Sequence, residues 1–500
     1  MCRARPKRVA VIGGGCVGIT AFWALQRSVH DVHLYEASSQ LGGRIKSLSF
    51  EFGGQTALVD TEPSSFDVHA SPNLVSLLTA LGVHISHTPV SFAVSTSRQT
   101  IQWALGDLNH IFTRGISTFR PNNLRLLFDM VRFRYFVADF LANDQLREYI
   151  DESTICTQEY LSNEGFSDAF REEFLIPLVS ILCRVNLTHE LLRLSLGTLF
   201  RLFFHQQFLY PSSSEDMWYH IDGGSSGFLR VLAQNFASAD LRLNTRVTEV
   251  NASEKGGYVL VTSTGQKERY DHIVIAVDSQ QGLQILDPVL SHGERGIMRN
   301  LRTTKTIAVL HSDHALMTES HQDRSSYHYV VAQSDSSQSS RKSCLSYNIN
   351  ALQNLPHSLH GNITISLNAL TPPHPRLVQN VWEYTDLEIC PSTIKALALL
   401  PSIQNKRGLS FCHEWTGRGF LEDAVTAGLR VAIEHLGAEV PFQVVRHGDS
   451  KSSRPLHYEP GLGDHVIRTL LRLLQVYILI FEISVALLRR FRVHKTGKVC

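Results

Sequence analysis

Three glycines near the start of the chain, Gly13, Gly15 and Gly18, have the spacing of a backbone that wraps a phosphate. They stand in the run Val9-Ala-Val-Ile-Gly13-Gly-Gly15-Cys-Val-Gly18, and one helix length later comes Leu34-Tyr-Glu36. Gly13 permits a tight turn, Gly15 lets the backbone approach a pyrophosphate, and Gly18 lets a helix pack close to the preceding strand. A carboxylate at Glu36 can accept both hydroxyls of an adenosine ribose and would repel a 2′-phosphate. The chemistry these residues could do is to hold an adenine dinucleotide whose ribose is unphosphorylated. A second pair, Gly42-Gly43, followed by Arg44, comes directly after the acid. Its backbone can lie against the pyrophosphate from the other side, and Arg44 can neutralise it. A nicotinamide site has no need of this extension.

Positioning these groups takes a strand over Val9–Ile12, a helix whose N-terminus offers unpaired N–H groups and a positive dipole end, and a second strand over Val32–Tyr35. With those elements in place, residues 9–46 resemble the signature of the flavin-containing amine oxidase superfamily. The resemblance implies FAD as the cofactor. It extends to Trp218–Gly227, to Leu241–Val250 and to Tyr270–Val277, where it implies that Val247 holds the adenine through its backbone and that Ala276 lies near the cofactor. A third stretch, Leu409–Leu429, resembles the C-terminal FAD segment. There Glu414 matches an acid that contacts the sugar or ribityl part, and Gly419 and the helix start at Glu422 match the turn beside the flavin ring. The dipole of that helix would stabilise the charge of a reduced flavin.

The fold this implies is α/β. A Rossmann-like FAD-binding domain of the amine oxidase and glutathione reductase type is assembled from residues 5–60, 215–290 and 400–445. An α+β substrate domain, 61–214 and 291–399, is inserted into it, and an amphipathic helix occupies 464–495. Within the insert, 72–82 read as a helix closed by Gly82, and the pattern from Leu124 to Arg201 is mainly helical. Residues 305–311, 344–350 and 362–368 alternate apolar and polar, as strands of a separate sheet do, and the serine-rich stretch 334–343 reads as a loop. Phe200, Phe203, Phe204 and Phe208 read as helical core.

A closer resemblance is to a subgroup of predicted NAD/FAD-binding proteins related to amine oxidases and carotenoid desaturases. Several residues beside the flavin depart from that subgroup's pattern. Glu62 stands where it has Gly, Cys412-His413-Glu414 replaces Cys-Gly-Ala, and Leu421-Glu422-Asp423-Ala424 replaces His-Glu-Asp-Gly.

The net charge of the 500 residues is +1, which gives no electrostatic basis for nucleic-acid binding. There is no H-E-x-x-H and no Cys/His pairing at metal spacing, so no metal site is expected. The eight cysteines are scattered without a C-x-x-C, as in a reduced, intracellular chain. Arg3, Arg5, Lys7 and Arg8 precede an apolar run in the manner of a signal peptide, but the glycine fingerprint accounts for that run, and cleavage within it would destroy the nucleotide site.

Near the C-terminus, residues 466–488 are strongly apolar, yet Arg468, Arg472, Gln475 and Glu482 interrupt them. At about 100° per residue these four fall on one narrow stripe, together with Arg489 and Arg490. A spanning helix needs about 20 mostly apolar residues. A broad apolar face with basic ends is instead the pattern of an interfacial anchor, so a membrane surface at the cytoplasmic face is the expected partner.

The expected function is FAD-dependent oxidoreduction, as a dehydrogenase, desaturase or oxidase. Hydride would pass from a small lipophilic substrate to the flavin, with dioxygen or another acceptor reoxidising it. The residues themselves name no catalytic base. Two alternatives stand beside this: a flavin-binding pseudoenzyme or membrane-associated scaffold, which the departures near the flavin suggest, and an amine oxidase.

Overall fold

The computed structural model describes residues 5–496 apart from 64, 89, 96–99, 105–120, 143–155, 184–191, 200–217, 235, 238–239, 314–324, 332–342, 413–420 and 446–460. Glu414 and Gly419, the four phenylalanines at 200–208 and nearly all of the serine-rich stretch lie outside the described residues.

The chain begins with strand β1 (Arg8–Ile12), helix α1 (Cys16–Leu25) and strand β2 (Asp31–Tyr35). Helix α2 follows at Pro72–Leu81 and ends on Gly82, whose φ of 68° is the left-handed cap that glycine tolerates best. A longer helix, α3, runs from Pro121 to Ala142. Strands β3 (Leu241–Arg242), β4 (His272–Ile275) and β5 (Leu409–Phe411) come from far along the sequence, and helices α4 (Leu421–Arg430) and α5 (Leu462–Thr496) close the described chain.

β1 to β5 form one parallel sheet in the order β3-β2-β1-β4-β5. After Arg8 and His272 at their first positions, its central strands β1 and β4 are apolar, as a parallel sheet covered on both faces requires. Val9, Ala10, Val11, Ile273, Val274 and Ile275 are completely buried. α1 is buried all round, because it lies between this sheet and α4. Gly428 of α4 allows that close contact: a Cβ there would sit 2.6 Å from the carbonyl oxygen of Val17.

A second, seven-stranded sheet carries the apolar core of the other half. In order across the sheet its strands are 378–387, 303–311, 364–367, 343–348, 327–331, 91–95 and 100–104. Its pairing is antiparallel except where 327–331 runs parallel to 91–95. Phe92, Tyr327, Tyr329 and Tyr347 from the sheet share one buried cluster with Phe133, Phe170 and Phe174 from the helical part.

Candidate cofactor site

β1 and β2 run side by side in register and stop together, so the turn after Ile12 and the acid after Tyr35 reach the same sheet edge. Gly13 donates its N–H to the Tyr35 carbonyl at 2.8 Å and adopts φ 112°, which side chains rarely allow. A Cβ on Gly13 would lie 2.4 Å from the carbonyl oxygen of Ala276, which follows β4 and donates its own N–H to Ile12 at 2.8 Å. A Cβ on Gly18 would lie 1.9 Å from the Gly13 carbonyl oxygen. These two glycines are therefore demanded by the fold itself.

Gly15 differs. It takes an ordinary extended conformation, φ −73° and ψ 176°, as the N-cap of α1, and a Cβ there would meet nothing within 4 Å. Neither strain nor packing asks for glycine at this position. Open space in front of a helix N-terminus, beside a residue with no internal reason to lack a side chain, fits a ligand that approaches the backbone. The α1 ladder starts only with Ile19 N–H to Gly15 O at 2.9 Å, which leaves the first-turn amides without intrahelical acceptors.

Glu36 is held against this loop. Its Oε2 accepts the Gly14 N–H and its Oε1 the Ser38 N–H, both at 2.7 Å. A carboxylate has about four acceptor sites, so both oxygens keep capacity for ribose hydroxyls. Gly42 donates to the Gly14 carbonyl at 2.8 Å, and a Cβ on Gly43, where φ is 58°, would stand 3.0 Å from Gly15 Cα. The second glycine pair thus lies directly on the phosphate loop. Chain 242–247 borders the same edge, since Thr245 donates to the Glu36 carbonyl at 2.8 Å, and Val247 is buried two residues further on.

Two residues have partners that the sequence did not suggest. Arg44 was expected to face the pyrophosphate. Its guanidinium instead bonds Glu62 at 2.9 Å and Asp386 at 2.6 Å, and lies over the Tyr384 ring at 4.4 Å from the centroid. The reason is charge: Glu62 and Asp386 are both buried, and a buried carboxylate needs a cation. Glu62, a departure from the subgroup pattern, is thereby Arg44's partner. Tyr384 donates to the Thr61 carbonyl at 2.6 Å, which pins the edge strand of the second sheet to the chain below the phosphate loop. Asp386 and Tyr384 carried no sequence signal, because their partners lie more than 300 residues away.

Glu422, expected beside the flavin ring, turns its carboxylate to the N-terminus of α2. It accepts the N–H groups of Asn73 at 3.2 Å and Leu74 at 2.7 Å and the Thr426 hydroxyl at 3.0 Å. Serving as the acidic cap of a separate helix satisfies two amides that would otherwise be orphaned. Burial nevertheless pushes its carboxyl up to about 7, against the pull of those two amides. Asn73, which the sequence reading missed, bonds both Thr426 and the backbone of Val445.

Cys412 is fully buried at the end of β5, where burial pushes its thiol up. Among the described residues, no group of three or more His, Cys, Asp or Glu is placed to hold a metal ion.

A parallel sheet carrying a glycine loop, an acid held against it and a second glycine pair, joined to a second, largely antiparallel sheet, is the arrangement of a two-part dinucleotide-binding fold. The sequence profile of the flavin containing amine oxidoreductases matches residues 18–434, and the chain belongs to that family, with FAD as its cofactor. An L-glutamate oxidase precursor from Streptomyces viridosporus is 47% identical over 53 residues, which cover 10% of this chain and 8% of that protein. A putative protoporphyrinogen oxidase from Exiguobacterium sp. 255-15 has a similar structure, with TM-score 0.58 and 17% identity over 86% of this chain and 98% of that one. Cyclohexylamine oxidase from Brevibacterium oxydans is similar at TM-score 0.56 and 16% identity, over 86% and 98%.

Proposed function

We propose that the protein is an active FAD-dependent oxidoreductase that oxidises a C–H bond of a small lipophilic molecule at a membrane surface, with dioxygen or another acceptor closing the cycle. The observation that carries the cofactor part is the open space at Gly15 beside a pinned Glu36. Gly15, the first turn of α1 and the Gly42-Gly43 pair would hold the pyrophosphate, and Glu36 the ribose. In this reading Val247 holds the adenine and Ala276 lies near the cofactor, and the family resemblance assigns Glu414 to the sugar or ribityl part and Gly419 to the turn beside the ring. Bound there, FAD supplies two-electron acceptance from the substrate. The chain's own part is to exclude water and to orient. Arg44, Glu62 and Asp386 lock the edge strand of the second sheet to the phosphate-binding half. Phe92, Tyr327, Tyr329 and Tyr347 fix that sheet to the helical part through one buried aromatic core. What supports a lipophilic substrate is the exposed apolar side of α5, which would bring the site to a lipid surface.

An amine substrate has one observation in its favour. Asp386 Oδ2 is buried and has no hydrogen-bond partner, on the same strand face as Trp382 and Tyr384. A cation entering there would meet an acceptor and aromatic rings.

The deciding experiment is anaerobic titration of the purified yellow protein with fatty acids, terpenoids and amines, read by the flavin's visible absorbance. Bleaching by a lipophilic compound, reversed by air, is the expected result. Bleaching by amines alone would transfer the assignment to amine oxidation. No bleaching by any of the three classes would favour the flavin-binding scaffold.

A further inference from the structure

The C-terminal helix sits on the body with its polar side inward. Gln475 is buried and donates to the Glu164 carbonyl at 3.0 Å, and Arg472 pairs with the Glu164 carboxylate at 3.6 Å. Arg468 lies over the Tyr135 ring at 5.3 Å, and the Tyr135 hydroxyl donates to Asp464 at 3.4 Å. Further along, Leu479 packs beside Gly165. Asp464, Arg468, Arg472 and Gln475, groups that look made for water, are therefore spent on α3 and on the chain near residue 164.

The opposite side is apolar and uncovered among the described residues. Val466, Leu470, Leu473, Tyr477, Ile480 and Phe481 are each more than half exposed. At about 100° per residue the outward apolar side chains sweep an arc of about 200°. No helix among the described residues is long and apolar enough to cross a membrane.

We infer that this outward face of α5 lies in the surface of a lipid bilayer, with the polar stripe serving as the latch that holds the body against it. Two observations favour lipid over a second copy of the chain. A seam between two helices needs only a narrow apolar stripe, whereas this arc covers more than half of the circumference. By the same periodicity Arg492 and Lys495 of the last turns share the angular range of Tyr477 and Phe481, with no acid after Glu482, which complements anionic headgroups. Because the stripe is already matched with the body, the helix can bind lipid without leaving it, so the catalytic part would be held at a fixed height and tilt. This inference is independent of the redox reading, since lipid contact is measured whether or not any substrate bleaches the flavin.

The test is flotation of the full chain with phosphatidylcholine vesicles, with and without phosphatidylserine. The chain should float, more so with phosphatidylserine, and added salt should remove only that increment. Leu473→Glu/Tyr477→Glu/Phe481→Glu should stay at the bottom while keeping its flavin absorbance, and the milder Tyr477→Ser/Phe481→Ser should float several-fold less should the triple variant fail to fold. Arg472→Ala/Gln475→Ala should float as the parent does, because those side chains face the body; protease should then cut ahead of the helix more readily. A full chain that ignores both kinds of vesicle, or an outward-face variant that floats like the parent, overturns the inference. So does a full chain that elutes as a dimer and ignores vesicles while its outward-face variant elutes as a monomer, since the face would then belong to a second copy.

Discussion

Replacing Gly15 by valine separates loss of cofactor from loss of fold. Gly13 and Gly18 cannot serve, because a Cβ at either would lie 2.4 Å or 1.9 Å from a backbone oxygen and disrupt the turn itself. At Gly15 the backbone is extended and nothing stands within 4 Å of a Cβ. The protein should therefore accept the side chain at a cost of roughly 1 kcal/mol, the usual penalty of an apolar residue at a helix N-cap. The cofactor should not accept it. A branched side chain there would occupy the space of the pyrophosphate and displace it from the first-turn amides of α1. Two hydrogen bonds to a charged group, at about 1.5–3 kcal/mol each, come to about 3–6 kcal/mol. That corresponds to binding roughly 10² to 10⁴ times weaker. The assay is flavin absorbance per purified chain, followed by titration of the stripped proteins with FAD and comparison of their melting temperatures without it. Colourless Gly15→Val that melts within a few degrees of stripped parent is the expected outcome. A yellow variant with full flavin content would refute the assignment of this loop, and one that melts as early as Gly18→Val would refute the claim that the space at Gly15 belongs to the ligand.

The other predictions concern carboxylates. Glu36→Ala should weaken FAD binding by about 1.5–3 kcal/mol, measured by the same titration, because it removes the ribose acceptor and releases the Gly14 and Ser38 amides. Arg44→Ala leaves Glu62 and Asp386 buried without a cation and should cost about 3 kcal/mol in urea unfolding; Glu62→Gln/Asp386→Asn in that background should recover much of it. Glu422 titrates near 7 in the folded chain and near 4.5 when unfolded, so the native state holds the proton longer. Its contribution is complete below about pH 4.5 and is lost as pH rises through 7, by about 3 kcal/mol in all. Melting curves from pH 5 to 8 should show this fall, and Glu422→Gln should flatten it.

The sequence by itself determined the strand-turn-helix at the phosphate loop and the acid that follows it. These are local statements. A glycine at φ 112° and an apolar strand each record their demands within a few residues, and Gly18 is needed by a contact with Gly13 made inside one βαβ unit, although the close approach of Ala276 to Gly13 comes from a distant strand. The helix at Pro72–Leu81 was legible for the same reason, through its spacing and Gly82. Only the tertiary structure decided where the charged side chains go. Arg44 meets Asp386 across 342 residues and Glu422 caps a helix 348 residues earlier, and no local pattern encodes such pairs. The C-terminal helix makes the point most plainly. Its amphipathicity could be read from periodicity, yet periodicity is silent about which face turns inward. That depended on Glu164 and Tyr135 presenting polar partners to the stripe, so that burying Gln475 and pairing Arg472 left the apolar side facing out.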